Sequence, residues 1–256
     1  LAEEAGQLSA IAQMTLPAHV FAGGLQRIVQ RRLDKAPAWG QALLRLAAVI
    51  GRQLDLQVLH YLIQSDAGCL SGHTLENWLN TCADAAILTV AGERWQFAHD
   101  KLREQLLQTN DQTELHRTVA LALEAVYPGD ETYVETLAEH WYATGEGARA
   151  MPYLLKTVQR MVNITAEYQR AERWVERGLL VADHAQQAQL LQLRGDLAER
   201  QSNFAQAVAA YQASLALTEP NSPLRVEILN GLSTICWRQV ARQEAEEYAR
   251  QALTLA

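Results

Sequence analysis

The adjacent pair His99-Asp100 is the feature of this chain that most resembles working chemistry. An imidazole beside a carboxylate can ligate a divalent metal in a phosphohydrolase, and an imidazole at a helix N-terminus can meet a phosphate oxygen. The metal reading needs further ligands on neighbouring helices. The other six histidines, His19, His60, His73, His116, His140 and His184, form no HxxxH or HExxH pair. Cys69, Cys82 and Cys236 form no CxxC pair, so neither a zinc site nor a disulfide framework is indicated, and no metal is expected. The three lysines, Lys35, Lys101 and Lys156, follow Asp34, Asp100 and Leu155, so the chain has no Gly-Lys-Ser/Thr with which to cradle a nucleotide phosphate. There is no Gly-x-Ser-x-Gly nucleophile turn, and carboxylate pairs such as Glu3-Glu4 and Glu246-Glu247 read as solvated helix faces. No catalytic residue emerges, and the chain is expected not to be an enzyme.

The elements that would position His99 follow from composition and punctuation. At 256 residues, 49% apolar and 20% charged, the chain can bury a substantial core in one large or two ordinary domains. Twenty-two basic residues against 29 acidic ones give a net charge of -7, the wrong sign for neutralising many phosphates, which disfavours nucleic acid. Residues 1–110 hold 9 basic and 10 acidic groups and 111–256 hold 13 and 19, so the acidity belongs to the second half. No apolar run approaches the ~18 residues of a membrane span, and Glu3 and Glu4 stand where a signal peptide would be basic. A cytoplasmic protein without membrane contact is expected, and the glycosylation-like Asn163-Ile164-Thr165 reads as chance. The start at Leu1 rather than Met fits a segment of a longer protein.

Apolar spacing predicts helices over 21–33, 38–50, 55–64 and 74–86, with Gly51 ending the second. The period then changes. Ile87-Leu88-Thr89-Val90 and Trp95-Gln96-Phe97, separated by a Gly-containing turn, predict a β-hairpin before a helix over 99–108. Helices, a two-stranded wing and a following helix are the order of a winged-helix module. From 111 onwards only helix patterns remain, at 111–126, 132–144, 148–164, 168–182, 186–200, 204–218 and 224–255, the last broken near Val240. Thr132 and Glu135 have capping-box spacing, and Ser222 before Pro223 offers an N-cap with proline at the first helical position.

These helices read as helix-turn-helix pairs. Leu191, Gly195, Phe204, Ala207, Tyr211, Leu215 and Pro220 reproduce most of the tetratricopeptide (TPR) pattern, with one extra residue before the proline. Leu232, Ser233, Ala245, Ala252 and Leu253 form a weaker copy, and Tyr168, Ala171, Gly178 and Leu179 match the second half of another. Trp141, Tyr142, Tyr168, Trp174 and Tyr211 fall at core spacing. The expected fold is mostly α: a winged-helix domain with a small β-hairpin, then an α-α superhelix of TPR-like hairpins. The expected boundaries are 1–16 for a linker or helix remnant, 17–127 for the winged helix with trailing helices, and 128–256 for degenerate repeats.

Four strings carry a family resemblance: Leu16-Pro17, Arg31-Arg32-Leu33-Asp34, the run from Ala47 to Asp55, and Phe97 to Glu104. In order and spacing they resemble the region after the nucleotide-binding domain of bacterial STAND-type signal-transduction ATPases, where a winged helix and often a TPR array follow the P-loop core. Ala98-His99-Asp100 is similar to the MHD motif of that family, with Ala in place of Met. The resemblance implies that His99 contacts the β-phosphate of ADP, and only with an ATPase domain that this chain lacks. ADP or ATP is then expected only in a longer protein, and none in this chain. The plain alternative for His99 is a first-turn histidine that caps its helix or packs beneath the wing.

The reading that follows is a non-catalytic regulatory segment. Its winged helix would pack on a nucleotide-binding domain, and its TPR array would take a protein or peptide that controls switching between closed and open states. A free-standing TPR adaptor is the alternative. A winged-helix DNA-binding regulator is a third reading, and it meets an obstacle in the would-be recognition helix over 74–86, which carries two acids and no Lys or Arg.

Overall fold

The structure is a computed structural model that describes residues 18–65, 70, 72–108 and 112–255. The expected linker at 1–16, Leu16-Pro17 and Cys69 lie outside the described residues. The chain divides between Ala122 and Leu123 into two compact units.

The first unit begins with α1 (Ala18–Leu33), whose last turn carries Arg31 and Arg32. Cations there face the negative end of the helix dipole, and Arg32 also donates to the Ala86 carbonyl at 3.4 Å. A 3₁₀ turn, Ala38–Gly40, leads into α2 (Gln41–Ile50). Helix α2 stops at Gly51, where φ 150° and ψ -170° suit a residue without a Cβ. The chain then runs extended. The Leu54 N–H donates to the Trp95 carbonyl at 2.8 Å, and the Phe97 N–H donates to the Arg52 carbonyl at 3.0 Å.

Asp55 caps α3 (Leu56–Gln64) by accepting from the N–H groups of Gln57 and Val58, and Thr74 caps α4 (Leu75–Asp84) by accepting from Asn77. Strands β1 (Leu88–Ala91) and β2 (Arg94–Phe97) pair antiparallel, with Leu88 opposite Phe97 and Ala91 opposite Arg94. The two-residue turn is possible because Gly92 takes φ 64°. A single bridge, Gln53 to Gln96, adds the 52–54 segment to the far edge of β2. After the hairpin come α5 (Asp100–Leu106) and α6 (Thr113–Val126).

Buried faces of these elements converge on Trp78, Phe97, Leu43, Leu59, Ile87 and Leu102. The Trp78 indole N–H donates to the Gly40 carbonyl at 3.0 Å, and a Cβ on Gly40 would lie 2.3 Å from that ring. Arg103 of α5 reaches back 2.7 Å to the Ala48 carbonyl, one of the orphan acceptors at the end of α2.

The second unit is helical throughout its regular structure: α7 (Val134–Ala143), α8 (Gly147–Arg160), a π-helical turn (Met161–Thr165), α9 (Tyr168–Leu179), α10 (His184–Arg200), α11 (Phe204–Leu217), α12 (Pro223–Arg238) and α13 (Arg242–Leu255). Helix α10 packs along α11 and α12 along α13, while α10 also meets α8 and α12. This is the expected mostly-α architecture of TPR-like hairpins. Ala138, Met151, Leu154, Val158, Trp174 and Leu190 share one core; Ala207, Tyr211, Ile228, Leu232 and Ile235 share another.

One expected cap is corrected. Thr132 and Glu135 form no capping box: Asp130 accepts the Thr132 N–H and starts a 3₁₀ turn (Glu131–Tyr133), so α7 begins later and Glu135 is drawn into an ion pair with Arg170. Ser222 is the N-cap of α12 with Pro223 at the first helical position, as expected, although its hydroxyl makes no capping bond. The true capping box is Asp183 with Gln186, at the start of α10. The break near Val240 is as expected. Val240 adopts φ 65° and Ser202 φ 60°, and the N–H of the residue after each returns to a carbonyl five residues back, the Schellman closure of a helix end.

Candidate functional site

His99 is the N-cap residue of α5, with φ -145° and ψ 141°. Its carbonyl accepts the Leu102 N–H at 3.0 Å, but its imidazole makes no capping bond and is exposed, so it does not pack beneath the hairpin. The flanking residues hold the position: the Ala98 N–H donates to the Ile87 carbonyl at 2.9 Å, and Asp100 pairs with Arg52 at 3.3 Å. Asp100 is therefore occupied by a guanidinium, and no group of three or more His, Cys, Asp or Glu that could hold a metal occurs among the described residues. Helix α4 carries Glu76 in its first turn and no basic residue in its last.

In the second unit, Tyr211 of α11 is the organising side chain. Its ring lies between two glycines: a Cβ on Gly195 would come within 2.4 Å of it and one on Gly231 within 2.7 Å. The ring can come this close to both helices because neither residue has a side chain there. The phenol donates to Asp196 at 2.6 Å and lies 3.3 Å from Glu199. Burial foremost, with the nearby Asp196 charge, raises the Tyr211 pKa well above its ordinary value, so it remains a donor. Burial also raises the Asp196 pKa, helped by the charges of Glu199 and Glu227 and opposed by the bonds from Tyr211 and Gln192. Glu199 is paired with Arg238 of α12 at 3.3 Å. Asp196 and Glu199 of α10 and Arg238 of α12 thus form one polar cluster beside the Tyr211 ring, with Glu227 of α12 as a further acid near Asp196.

Glu124 organises a second polar knot, accepting from the Trp141 indole at 2.8 Å and from the Tyr153 hydroxyl at 2.7 Å. Burial and the carboxylate push the Tyr153 pKa up to about 12. Arg149 lies over Trp141 with its guanidinium carbon 4.6 Å from the ring centroid, and Arg177 lies 5.0 Å from Trp174 and 5.8 Å from Tyr142. Of the five aromatics at core spacing, Trp141, Trp174 and Tyr211 are buried core residues, whereas Tyr142 and Tyr168 are half-buried.

Residues 186–256 match the tetratricopeptide repeat family model. The match spans nearly all of α10 and the whole of α11 to α13, the helices locked by Tyr211 and by the Ser233 hydroxyl, which donates to the Ala245 carbonyl at 2.8 Å. No curated protein matches the chain. Repeats of this family typically mediate contacts between proteins. No helix among the described residues is long and apolar enough to cross a membrane.

The helix-start position of His99 was legible in the sequence, whereas both carboxylate centres were not. Asp196 carried one available signal, its position directly after the glycine of the repeat pattern. Glu124 carried none, since its partners lie 17 and 29 residues away.

Proposed function

We propose that this chain is a non-catalytic regulatory segment in which the helical repeats bind a protein or peptide and the first unit is a winged helix that docks on the nucleotide-binding domain of a STAND-type ATPase. The observation that carries this reading is the order helix, single bridge at Gln53, two helices, hairpin, with His99 held at the next N-cap and its imidazole exposed. An exposed ring without a capping bond suits a phosphate presented from another domain, where it would donate one hydrogen bond beside the positive end of α5. The absence of Lys and Arg from α4 weighs against use of this unit on DNA. The acidic excess of residues 111–256, 19 acidic against 13 basic, favours a partner segment bearing basic residues.

The test is nucleotide retention by the natural full-length protein. If its coding sequence supplies a Gly-Lys-Ser/Thr segment ahead of Leu1, the purified protein should carry ADP, and His99→Ala should lower that retention while leaving the helical signal unchanged. A start codon close to Leu1, or retention indifferent to His99→Ala, removes the ATPase reading. A free-standing repeat adaptor, which the same helices support, then stands in its place.

A further inference from the structure

Between α7 and α9 the second unit holds an open cavity of about 200 Å³, lined by Glu135, Glu139, Arg170, Arg173, Trp174 and Arg177. Helix α9 supplies three arginines to it, because residues three and four apart share one face of a helix. Arg170 is already committed, to Glu135 and to Glu167. Arg173 makes no hydrogen bond, ion pair or ring contact among the described residues. Arg177 lies over the rings of Trp174 and Tyr142, with its guanidinium carbon 5.0 and 5.8 Å from their centroids, and it too has no oxygen acceptor. Each guanidinium carries five N–H donors. Two sets of donors, one helical turn apart, thus stand at the cavity without a protein acceptor.

That is an unusual state for this half of the chain, where 19 acidic residues outnumber 13 basic ones. Arg194 and Arg238 show the ordinary outcome, meeting Glu172 and Glu199. The rings beside Arg177 attract its charge without consuming its donors, and they hold the side chain in place before a ligand arrives, which lowers the entropy lost on binding. Planar guanidinium forks match a carboxylate, whose two oxygens accept side by side. Charge selects the same ligand. With Arg170 answered by Glu135 and Glu167, the lining keeps two cations and one further acid, Glu139, a surplus of one positive charge. A monocarboxylate balances that surplus, whereas a phosphate dianion overshoots it and is repelled by the nearby glutamates.

We propose that the groove between α7 and α9 binds a carboxylate side chain, Asp or Glu, of a partner protein segment, with Arg173 and Arg177 as its donors. The proposal goes beyond the function proposed above and does not rest on it. The acidic excess elsewhere in this half draws basic residues, so one acid placed in this groove would fix the register of a bound segment.

The test titrates the uniformly ¹⁵N-labelled chain with acetyl-Gly-Glu-Gly-amide at constant ionic strength and follows backbone amide, arginine Nε–H and Trp174 indole signals. Acetyl-Gly-Gln-Gly-amide and inorganic phosphate are the comparisons. Saturable shifts confined to residues 135–142 and 170–177 are expected for the glutamate peptide, with both comparisons weaker. Arg173→Gln and Arg177→Gln should each weaken its binding at least about threefold, the scale of an exposed charge pair. Arg242→Gln removes an equally exposed and unpaired guanidinium from α13 and should leave binding unchanged. Four outcomes overturn the proposal: no saturable shift, equal binding of the glutamine peptide, tighter binding of phosphate, or an equal loss with Arg242→Gln, which would reduce the effect to the general field of surface cations.

Discussion

Gly195→Ala tests the repeat lock because two physical effects give it opposite signs. Gly195 lies inside α10, where exchanging glycine for alanine would by helix propensity alone stabilise the protein by about 1 kcal/mol. The new methyl, however, would lie 2.4 Å from two atoms of the Tyr211 ring. Carbon contacts rest near 3.5 Å, so the ring or the helix must give by about 1 Å. The ring has little freedom: it is 1% exposed, anchored at 2.6 Å to Asp196, and backed by Gly231 of α12 on its other side.

Overpacking of this kind costs about 3 kcal/mol at the upper end of its usual range. Net destabilisation should then be about 2 kcal/mol after the propensity gain, or roughly 4–8 °C in melting midpoint for a protein of this size. Urea and thermal unfolding followed by far-UV circular dichroism measure it. In a Tyr211→Leu background, where the ring is gone, Gly195→Ala should be neutral or stabilising. A higher midpoint for Gly195→Ala in the wild-type background would refute the lock, because propensity would then have won.

Asp196→Asn should raise the unfolding midpoint at pH 7. The folded pKa of Asp196 is raised, so the folded chain holds this proton more tightly than the unfolded one, and the contribution is favourable in acid and lost as pH climbs through the folded value. The gain from the substitution should therefore vanish below about pH 4, near the ordinary Asp value, and an equal shift at both pH values would contradict the burial argument. Glu124→Ala leaves the fully buried Trp141 without an acceptor for its indole N–H and should cost about 1–3 kcal/mol, whereas Glu124→Gln keeps an oxygen there and should cost less than half as much; denaturant unfolding distinguishes the two. Val240→Gly should stabilise by about 0.5–1 kcal/mol, the difference between the strain of a β-branched residue at φ 65° and the chain entropy of glycine, and a lower thermal midpoint would argue against strain at that turn.

Among the aromatics, Trp141, Trp174 and Tyr211 were legible as core because helical spacing at three and four residues forces one face inward whatever the partner is. The hairpin was legible for a related reason, since Gly92 between two runs of period two leaves few other conformations. Thr132 misled because capping-box spacing is a local pattern that any earlier cap can pre-empt, and Asp130 did so. Nothing in the residues before it announces the π turn at Met161–Thr165, because the sequence there keeps an ordinary helical pattern.

The helix periods, the place of the hairpin, the lack of a Gly-Lys-Ser/Thr segment and the repeat pattern matched over residues 186–256 were all legible along the chain. Those properties are set within one or two turns of chain, where covalent geometry and side-chain type suffice. That Gln53 joins the hairpin, that Glu124 serves Trp141 and Tyr153, and that Tyr211 sits between glycines 36 residues apart came from the folded packing alone. Each of these depends on which distant surface arrives opposite a given side chain, and that is fixed by packing the whole unit.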